Sequence, residues 1–290
     1  MPAFDLLASS ALATALCALL LGLLVGSFLN VVIHRLPTML DRQWRAQARE
    51  YLQLPADAVQ GRYDLLLPAS SCPHCGHHIR AYENIPVLSY LLLRGRCSGC
   101  QARISRRYPL VELACGVLSG FIGWHFGFSW QGGAFLLFTW GLLALAMIDA
   151  DTQLLPDVIV LPLLWLGLVV NAFGVFTPLA AAVWGAVLGY GALWAVFWLF
   201  RLATGKQGMG YGDFKLLAAI GAWGGWQALP LTLLLSSLVG ALLGLATLRL
   251  RGAKASTPLP FGPYLAVAGW IALLWGDEIT TLYLQFAGFR

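Results

Sequence analysis

The run Gly-Met-Gly-Tyr-Gly-Asp-Phe-Lys occupies residues 208–215 and places the carboxylate of Asp213 at the head of an apolar segment. A second carboxylate, that of Asp149, closes another apolar segment. An unpaired charge near the centre of a bilayer costs about 2.5 to 3.5 kcal/mol on insertion scales, so an acid beside such a segment needs a partner or a function. The two aspartates together indicate acid-base chemistry.

The composition indicates that most of this chain lies in lipid. Of its 290 residues, 59% are hydrophobic and only 11% are charged, which is typical of a membrane protein and excludes an ordinary soluble domain. Apolar runs of helix-spanning length, about 17 to 25 residues, occur at Leu12–Ile33, Leu110–Phe126, Gly132–Asp149, Val158–Phe176, Leu179–Phe200, Leu229–Leu248 and Phe261–Tyr283.

The segment between Lys215 and Arg249 is too long for a single crossing. Its 33 residues would extend about 50 Å as one helix, which exceeds the thickness of a bilayer core. We therefore predict two short helices here, joined near Trp226–Pro230. The sequence then predicts an all-α polytopic membrane protein with about eight transmembrane helices.

The positions of the basic residues test the predicted number of transmembrane helices independently, because Lys and Arg are enriched in cytoplasmic loops. With these spans, 17 of the 18 basic residues fall on one side of the membrane, and 11 of them lie in the loop after the first span. That loop is therefore predicted to be cytoplasmic and the N terminus to lie outside. The formal net charge of +5 is explained by this topology and by anionic membrane lipid, so no nucleic-acid partner is predicted.

Three regions differ in composition. Residues 1–33 are predicted to form the first transmembrane helix, retained rather than cleaved as a secretory signal, because Asp5 and no basic residue precedes the apolar run. Residues 34–108 are charged and carry cysteines, so they are predicted to form a small cytoplasmic domain. Residues 109–290 are predicted to form the remaining transmembrane core.

Four cysteines in the cytoplasmic region form two pairs, Cys72-Pro-His-Cys75 and Cys97-Ser-Gly-Cys100, separated by 21 residues. Four thiolates at about this spacing suit a tetrahedral zinc ion. Disulfides are the competing interpretation, but a reducing cytosol disfavours them. A closed shell of four thiolates leaves no position for water, so the zinc is predicted to be structural.

Other residues near the two cysteine pairs offer alternatives that stay open from sequence alone. His74, His77 and His78 crowd the first pair and are possible replacement ligands. Cys17 and Cys115 lie in apolar runs, where free cysteines behave as small buried hydrophobic residues.

Asp149 and Asp213 are predicted to lie at the same face of the membrane. Hydrolysis by paired carboxylates needs one protonated and one ionised member, which like-charge repulsion at short range supplies. Gly210 and Gly212 beside Asp213 permit positive φ angles and close approach of a substrate backbone. The alternative is that Asp213 is a helix N-cap and that the acids after the third span are solvated.

Two nearby acids, Asp151 and Asp157, are possible substitutes for Asp149 as the partner of Asp213. Neither is attached as clearly to the end of an apolar span. Asp149 is therefore the predicted partner.

These motifs together resemble a known family. The Gly-x-Gly-Asp run at Gly210–Asp213, with an aspartate on an earlier helix, resembles the aspartic membrane proteases that include presenilin. The order of further motifs along essentially the whole chain is similar to that of the bacterial type IV prepilin leader peptidases. Those motifs are Gly26–Arg35, the four cysteines, Glu83-Asn84-Ile85-Pro86, Arg107-Tyr108-Pro109 and Glu112.

The resemblance implies a bifunctional enzyme of the bacterial inner membrane with a periplasmic N terminus. Such an enzyme removes the short basic leader of type IV prepilins and type II secretion pseudopilins after a glycine. It then methylates the new terminal residue, usually phenylalanine, with S-adenosylmethionine as methyl donor.

The site for that methyl donor is harder to find in the sequence. No glycine-rich dinucleotide fingerprint occurs in the loop. Glu112 is the candidate to hold a cationic amine or sulfonium, and a packing role beside Arg107 or a backbone group is the alternative.

Two other functions fit parts of the pattern. An ion-coupled transporter also carries intramembrane acids, but it predicts acids near the midplane and an internal repeat. A noncatalytic membrane scaffold with a zinc loop leaves the glycine-rich aspartate turn unexplained.

Overall fold

The computed structural model describes residues 10–55, 61–206, 208–251, 260–286 and 288. Regular structure in these residues is helical, apart from two isolated β-bridges. The helices are α1 (Ala11–Tyr51), α2 (Leu88–Leu92), α3 (Arg107–Phe126), α4 (Trp130–Thr152), α5 (Asp157–Ala172), α6 (Leu179–Thr204), α7 (Tyr211–Gly224), α8 (Ala228–Arg251) and α9 (Gly262–Phe286). A short 3-10 helix spans Ala81–Asn84.

The predicted all-α membrane class is confirmed. Among the described residues, five helices, namely α1, α3, α4, α6 and α9, are long and apolar enough to cross a membrane, and α5 and the first part of α8 are shorter apolar helices. The chain also breaks where the two short helices were predicted to join, because α7 ends at Gly224 and α8 begins at Ala228. Asn171 stabilises this break by donating hydrogen bonds to the carbonyls of Ala222 and Trp223, at 2.8 and 2.9 Å.

Helix α1 extends beyond the apolar run that predicted it. Ser10 caps its N terminus by accepting a 3.2 Å hydrogen bond from the backbone N–H of Ala13, and the helix continues through Pro37 to Tyr51. A helix of 41 residues is about 60 Å long, which is twice the thickness of a bilayer core. The C-terminal part is therefore a charged extension, since helical hydrogen bonding does not require an apolar sequence.

The chain divides into two compact units, Met1–Trp140 and Gly141–Arg290. In the first unit, α1 packs along α3 through small residues. A Cβ atom added to Gly26 would lie 2.8 Å from the Cα atom of Glu112, so the two backbones touch at this point. Asn30 on the same helix donates a 3.0 Å hydrogen bond to the carbonyl of Tyr108. Small and polar residues thus hold the pair together, as is usual for helices in lipid.

In the second unit, α7 is the central helix and contacts α5, α6, α8 and α9. All residues from Phe214 to Trp223 except Lys215 are buried. Glycines make this possible: a Cβ atom on Gly185 of α6 would overlap the backbone of Gly221. At 14 residues, α7 is about 21 Å long and shorter than a bilayer core of about 30 Å. Its ends must therefore find polar partners inside the protein or in water.

Candidate active site and candidate metal centre

The two aspartates predicted to act together are both buried in the second unit. Asp149 lies in the last turn of α4 and Asp213 in the first turn of α7. Their exposed fractions are only 5% and 8%, and the charge of Asp149 acts on Asp213. The fold therefore brings together two carboxylates that are distant in sequence and shields both from bulk water.

Asp149 is held in place by the start of helix α9. Its Oδ2 atom accepts a 2.9 Å hydrogen bond from the backbone N–H of Gly262, the first residue of that helix. The unpaired N–H groups and the dipole of a helix N terminus favour a carboxylate at this position. A Cβ atom on Gly262 would lie 2.7 Å from Oδ2 of Asp149, so only glycine fits there without a shift.

Asp213 is not the N-cap of its helix, so that alternative is wrong. Gly210 is the N-cap residue, and Asp213 is the third residue of α7. The Asp213 carboxylate reaches back to the backbone N–H of Gly210, as the third residue does in one half of a capping box. This contact orients the side chain at the end of α7, beside Asp149.

The glycines around Asp213 act through space rather than through unusual backbone angles. Gly210 has a φ of −87°, and neither Gly210 nor Gly212 has a positive φ, so the positive φ angles that glycine permits are not used here. A Cβ atom on Gly212 would lie 2.8 Å from the Cβ atom of Leu155, which makes Gly212 a packing requirement. Gly210 has nothing closer to that position than Oδ2 of Asp213, at 3.9 Å. Open space therefore lies beside Gly210.

The structure distinguishes Asp149 from its two possible substitutes. Asp151 is exposed one half-turn further along α4. Asp157 is exposed at the start of α5, where it accepts hydrogen bonds of 2.7 and 2.8 Å from the Nζ atom of Lys215. Only Asp149 of these three is buried near Asp213. A buried pair of carboxylates is able to share a proton and to activate water.

The four cysteines predicted to bind zinc converge in the first unit. Their sulfur atoms all lie within 4.8 Å of one another, and the Sγ atoms of Cys72 and Cys100 are 3.8 Å apart. The corresponding distance from Cys75 to Cys97 is 3.9 Å. Four sulfurs at about 2.3 Å from a tetrahedral zinc ion would be about 3.8 Å apart, so the donor set fits this metal.

The competing disulfide interpretation does not fit the geometry. All four cysteines are free, and the sulfur separations are nearly twice the length of a disulfide bond, about 2.05 Å. The candidate metal cluster found among the described residues contains only these cysteines and none of the nearby histidines.

The two cysteine pairs are built on matching turns. In the first, the N–H of Gly76 donates to the carbonyl of Cys72 at 2.9 Å, and in the second, the N–H of Gln101 donates to that of Cys97 at 3.0 Å. Isolated antiparallel bridges, Ser71 with His78 and Arg96 with Arg103, close the two turns. Each pair is therefore a preformed knuckle that presents two sulfurs to the same point.

His77 supports the knuckles from outside the sulfur cluster. Its Nε2 atom lies 3.1 Å from Oε2 of Glu83 and 3.1 Å from the hydroxyl of Ser98. The backbone N–H of Arg80 donates a 2.8 Å hydrogen bond to the same Glu83 carboxylate, and this contact is the main reason that the pKa of Glu83 falls to about 2. A charged Glu83 therefore ties the first knuckle to the second through His77 and Ser98.

Glu112 is buried in α3 with 8% exposure and is engaged by backbone. Its Oε2 atom accepts a 2.8 Å hydrogen bond from the N–H of Val87, and Ser27 of α1 lies near the same carboxylate. Val87 has a φ of 60°, a conformation that is rare for a β-branched residue. Glu112 thus stabilises the strained end of the loop after the 3-10 helix.

Two family models match the chain and together cover most of it. The Bacterial Peptidase A24 N-terminal domain matches residues 20–126, and the Type IV leader peptidase family matches residues 136–245. A relative from Stutzerimonas stutzeri named prepilin leader peptidase/N-methyltransferase is 69% identical over 98% of both chains. This chain belongs to that family.

Other members of the prepilin leader peptidase/N-methyltransferase family align over similar lengths. A relative of that name from Pseudomonas aeruginosa is 68% identical over 100% of both chains. One from Neisseria gonorrhoeae is 51% identical over 95% of both. No solved structure matches the chain. The predicted peptidase and methyltransferase class is confirmed, and the transporter and scaffold alternatives lose their support.

The family match also covers every predicted site residue. The N-terminal family model includes the cysteine cluster and Glu112, and the leader peptidase model includes Asp149 and Asp213. The sequence analysis did not single out Gly262, because glycine has no side chain that could take part in the chemistry. It also missed Arg35, a buried arginine of α1 that donates to the carbonyls of Asp64 and Pro68, at 2.9 and 2.7 Å. A basic residue placed two residues after an apolar run was its one visible signal.

Proposed function

We propose that this family member cleaves the leader of type IV prepilins and type II secretion pseudopilins with Asp149 and Asp213, and then N-methylates the new terminus. The observation that carries the proposal is the convergence of these two buried carboxylates at the ends of α4 and α7. The names of the relatives support both reactions.

In the cleavage step, one carboxylate of the dyad is ionised and the other is protonated. The ionised carboxylate takes a proton from water, whose oxygen attacks the scissile carbonyl carbon, while the protonated carboxylic acid donates to the carbonyl oxygen. The tetrahedral intermediate then collapses and the C–N bond breaks. The leaving amine takes up the proton that the first carboxylate removed from water. Gly262 fixes the orientation of Asp149 through its backbone N–H group, and Asp213 turns back toward Gly210.

The substrate backbone is proposed to approach the dyad beside Gly210. This position carries no side chain and has no near neighbour except the Asp213 carboxylate and the backbone of Gly212. A substrate strand laid there would place its scissile carbonyl next to Asp213. Any larger residue at position 210 would occupy that space.

The cysteine cluster is proposed to hold one structural zinc ion through Cys72, Cys75, Cys97 and Cys100. The sulfur separations support this assignment. Four protein ligands complete the tetrahedral coordination of zinc, so the ion stabilises the fold and takes no part in either reaction. Its binding energy is expected to contribute to the folding of residues 34–108.

S-adenosylmethionine is the proposed methyl donor, and it supplies an activated methyl group on a sulfonium. The enzyme has to hold the new terminal amine in its neutral form and in line with that group. Glu112 remains the proposed acidic residue that holds the cationic sulfonium or amine. The carboxylate already accepts a hydrogen bond from the N–H of Val87. Glu112 is therefore also able to position the loop that ends at Val87.

We also propose a bacterial inner-membrane location, with the N terminus periplasmic and residues 34–108 cytoplasmic. The asymmetry of the basic residues supports this orientation, since 11 of 18 lie in that one segment. The leaders of the proposed substrates would then be cleaved on the cytoplasmic side.

An intact-mass assay tests the proposed function. Purified enzyme in detergent is incubated with a prepilin, with and without S-adenosylmethionine. We expect loss of the leader in both samples and the added mass of one methyl group only with the donor. Unchanged prepilin in both samples, from an enzyme that is folded and metal-loaded, would contradict the proposal.

A further inference from the structure

A polar cavity lies in the first unit, among residues that flank the second cysteine knuckle on both sides. It has a volume of about 280 Å³ and is lined by Tyr90 and by four arginines, Arg94, Arg96, Arg103 and Arg106. All four arginines are exposed, whereas the Tyr90 ring is partly buried. Four arginines therefore border one small volume.

No acidic side chain nearby in sequence balances these charges. From Asn84 to Val111 the chain contains five arginines and no aspartate or glutamate. Within the described part of the chain, the salt bridges involve other residues, and none of the four cavity arginines forms one. No carboxylate of the described residues therefore pairs with the cavity arginines.

The backbone holds this charge together at a cost. Arg96 and Arg103 are direct partners in an antiparallel bridge, an arrangement that is destabilising for like charges. The bridge is fixed by a 2.8 Å hydrogen bond from the N–H of Ile104 to the carbonyl of Gly95. Arg94 has a φ of 52°, which is uncommon for a residue other than glycine. An anion in the cavity would offset this repulsion.

The surroundings of the cavity resemble a membrane interface. Arg106 immediately precedes α3, which is apolar enough to cross a bilayer. The short helix α2, which carries Tyr90, exposes Leu88, Leu91 and Leu92. Apolar side chains next to a basic cluster are typical of segments that lie on anionic membranes.

We propose that this arginine cavity binds the phosphate group of an anionic phospholipid. Arginine suits phosphate because its planar guanidinium donates two parallel hydrogen bonds to the oxygens. The exposed leucines of α2 favour a lipid head group over free phosphate, because they would enter the same leaflet. The inference rests on the membrane-spanning fold and is independent of the proposed peptidase dyad.

Native mass spectrometry of the full-length, zinc-loaded protein tests the inference. The probes are a phosphatidylglycerol, a phosphatidylcholine of the same chain length and inorganic phosphate. The test variant is Arg94→Gln with Arg103→Gln, and a second pair, Arg96→Gln with Arg106→Gln, guards against misfolding of one variant. The control is Arg45→Gln with Arg49→Gln, which removes the same charge from the extension of α1 outside the cavity.

We expect the parent protein and the control to retain phosphatidylglycerol, and each cavity variant to bind it roughly 30-fold more weakly, given about 1 kcal/mol per arginine near an anionic surface. Phosphatidylcholine should bind equally to all four proteins. Inorganic phosphate should compete only at far higher concentrations than phosphatidylglycerol.

Four results would overturn the inference. Equal phosphatidylglycerol retention by the parent and the cavity variants would show that these arginines form no binding site. An equal loss of binding in the control variant would show that binding depends only on the overall positive charge. Competition by inorganic phosphate at matching concentrations would make it a site for free phosphate. Parallel loss of zinc and lipid in both cavity variants would show that the arginines balance the charge of the cysteine cluster instead.

Discussion

The carboxylate of Asp149 and the backbone N–H of Gly262 form a 2.9 Å hydrogen bond across 113 residues of sequence. This bond joins the end of α4 to the start of α9 and fixes one member of the candidate dyad. The other member, Asp213, is fixed by its own turn through Gly210. The two acids therefore depend on different supports, one from tertiary packing and one from local sequence.

Removal of either carboxyl group should abolish cleavage. For Asp149→Asn and Asp213→Asn, we expect the rate of leader removal to fall by about 10² to 10⁴, because each step needs an ionisable group. Gel analysis of prepilin processing measures this, and bound zinc confirms folding. Asp151→Asn changes an exposed neighbour and should retain most activity. Substantial cleavage by either dyad variant would remove that residue from the mechanism.

Gly262→Ala should impair the dyad without touching its carboxyl groups. The added Cβ atom would lie 2.7 Å from Oδ2 of Asp149, and a displacement of about 1 Å costs on the order of 10² in rate. Initial rates with saturating prepilin measure the loss. Gly191→Ala on α6 is the matched control, since an added Cβ atom meets nothing within 4 Å there. Equal rates for the two variants would show that the Gly262 contact does not position Asp149.

Loss of two thiolates should empty the proposed zinc site. In Cys72→Ser with Cys97→Ser, we expect bound zinc to disappear and residues 34–108 to become sensitive to protease, because metal binding and folding are coupled. Elemental analysis and limited proteolysis measure both effects. Cys17→Ser lies outside the cluster and should keep its zinc. A full zinc equivalent in the double variant would refute the four-thiolate site.

Methylation should survive the loss of the dyad. Methyl transfer to an already cleaved pilin needs an oriented neutral amine and no activated water. We therefore expect Asp213→Asn to methylate mature, unmethylated pilin in the presence of S-adenosylmethionine at a rate close to that of the parent enzyme. Transfer of a labelled methyl group measures this. If a folded Asp213→Asn enzyme lost both reactions, the two sites would overlap.

Glu112→Gln should weaken methylation more than cleavage. Glutamine keeps an acceptor for the N–H of Val87 but removes the negative charge that a cationic partner requires. Parallel assays of both reactions give the ratio of the two losses. Ser27→Ala, which removes the hydroxyl near this carboxylate, controls for loop positioning. Equal losses in both reactions for Glu112→Gln would assign the residue a structural role.

The local signals in the sequence predicted the elements well, because each depends on a short stretch of chain. The apolar runs located the helices, and the excess length between Lys215 and Arg249 predicted the break that lies at residues 225–227. The Cys-x-x-Cys spacing predicted a four-sulfur cluster, since two residues between ligands set the knuckle geometry. The full length of α1 could not be predicted from the sequence, because its last 18 residues form a mixed stretch with many charges. The helicity of such a stretch does not follow from hydropathy.

The sequence by itself determined the helical membrane class, the cysteine ligand set and the aspartate of the glycine-rich turn, because periodicity, spacing and turn chemistry act over a few residues. The sequence favoured Asp149 as the partner of Asp213 by its place at the end of an apolar run, and only the tertiary structure showed that it alone of three candidate acids is buried. Asp149, Asp151 and Asp157 have the same chemistry, and they differ in burial and in their partners after folding. The role of Gly262 likewise came from packing, since a residue without a side chain shows its function only through the neighbour it allows to approach.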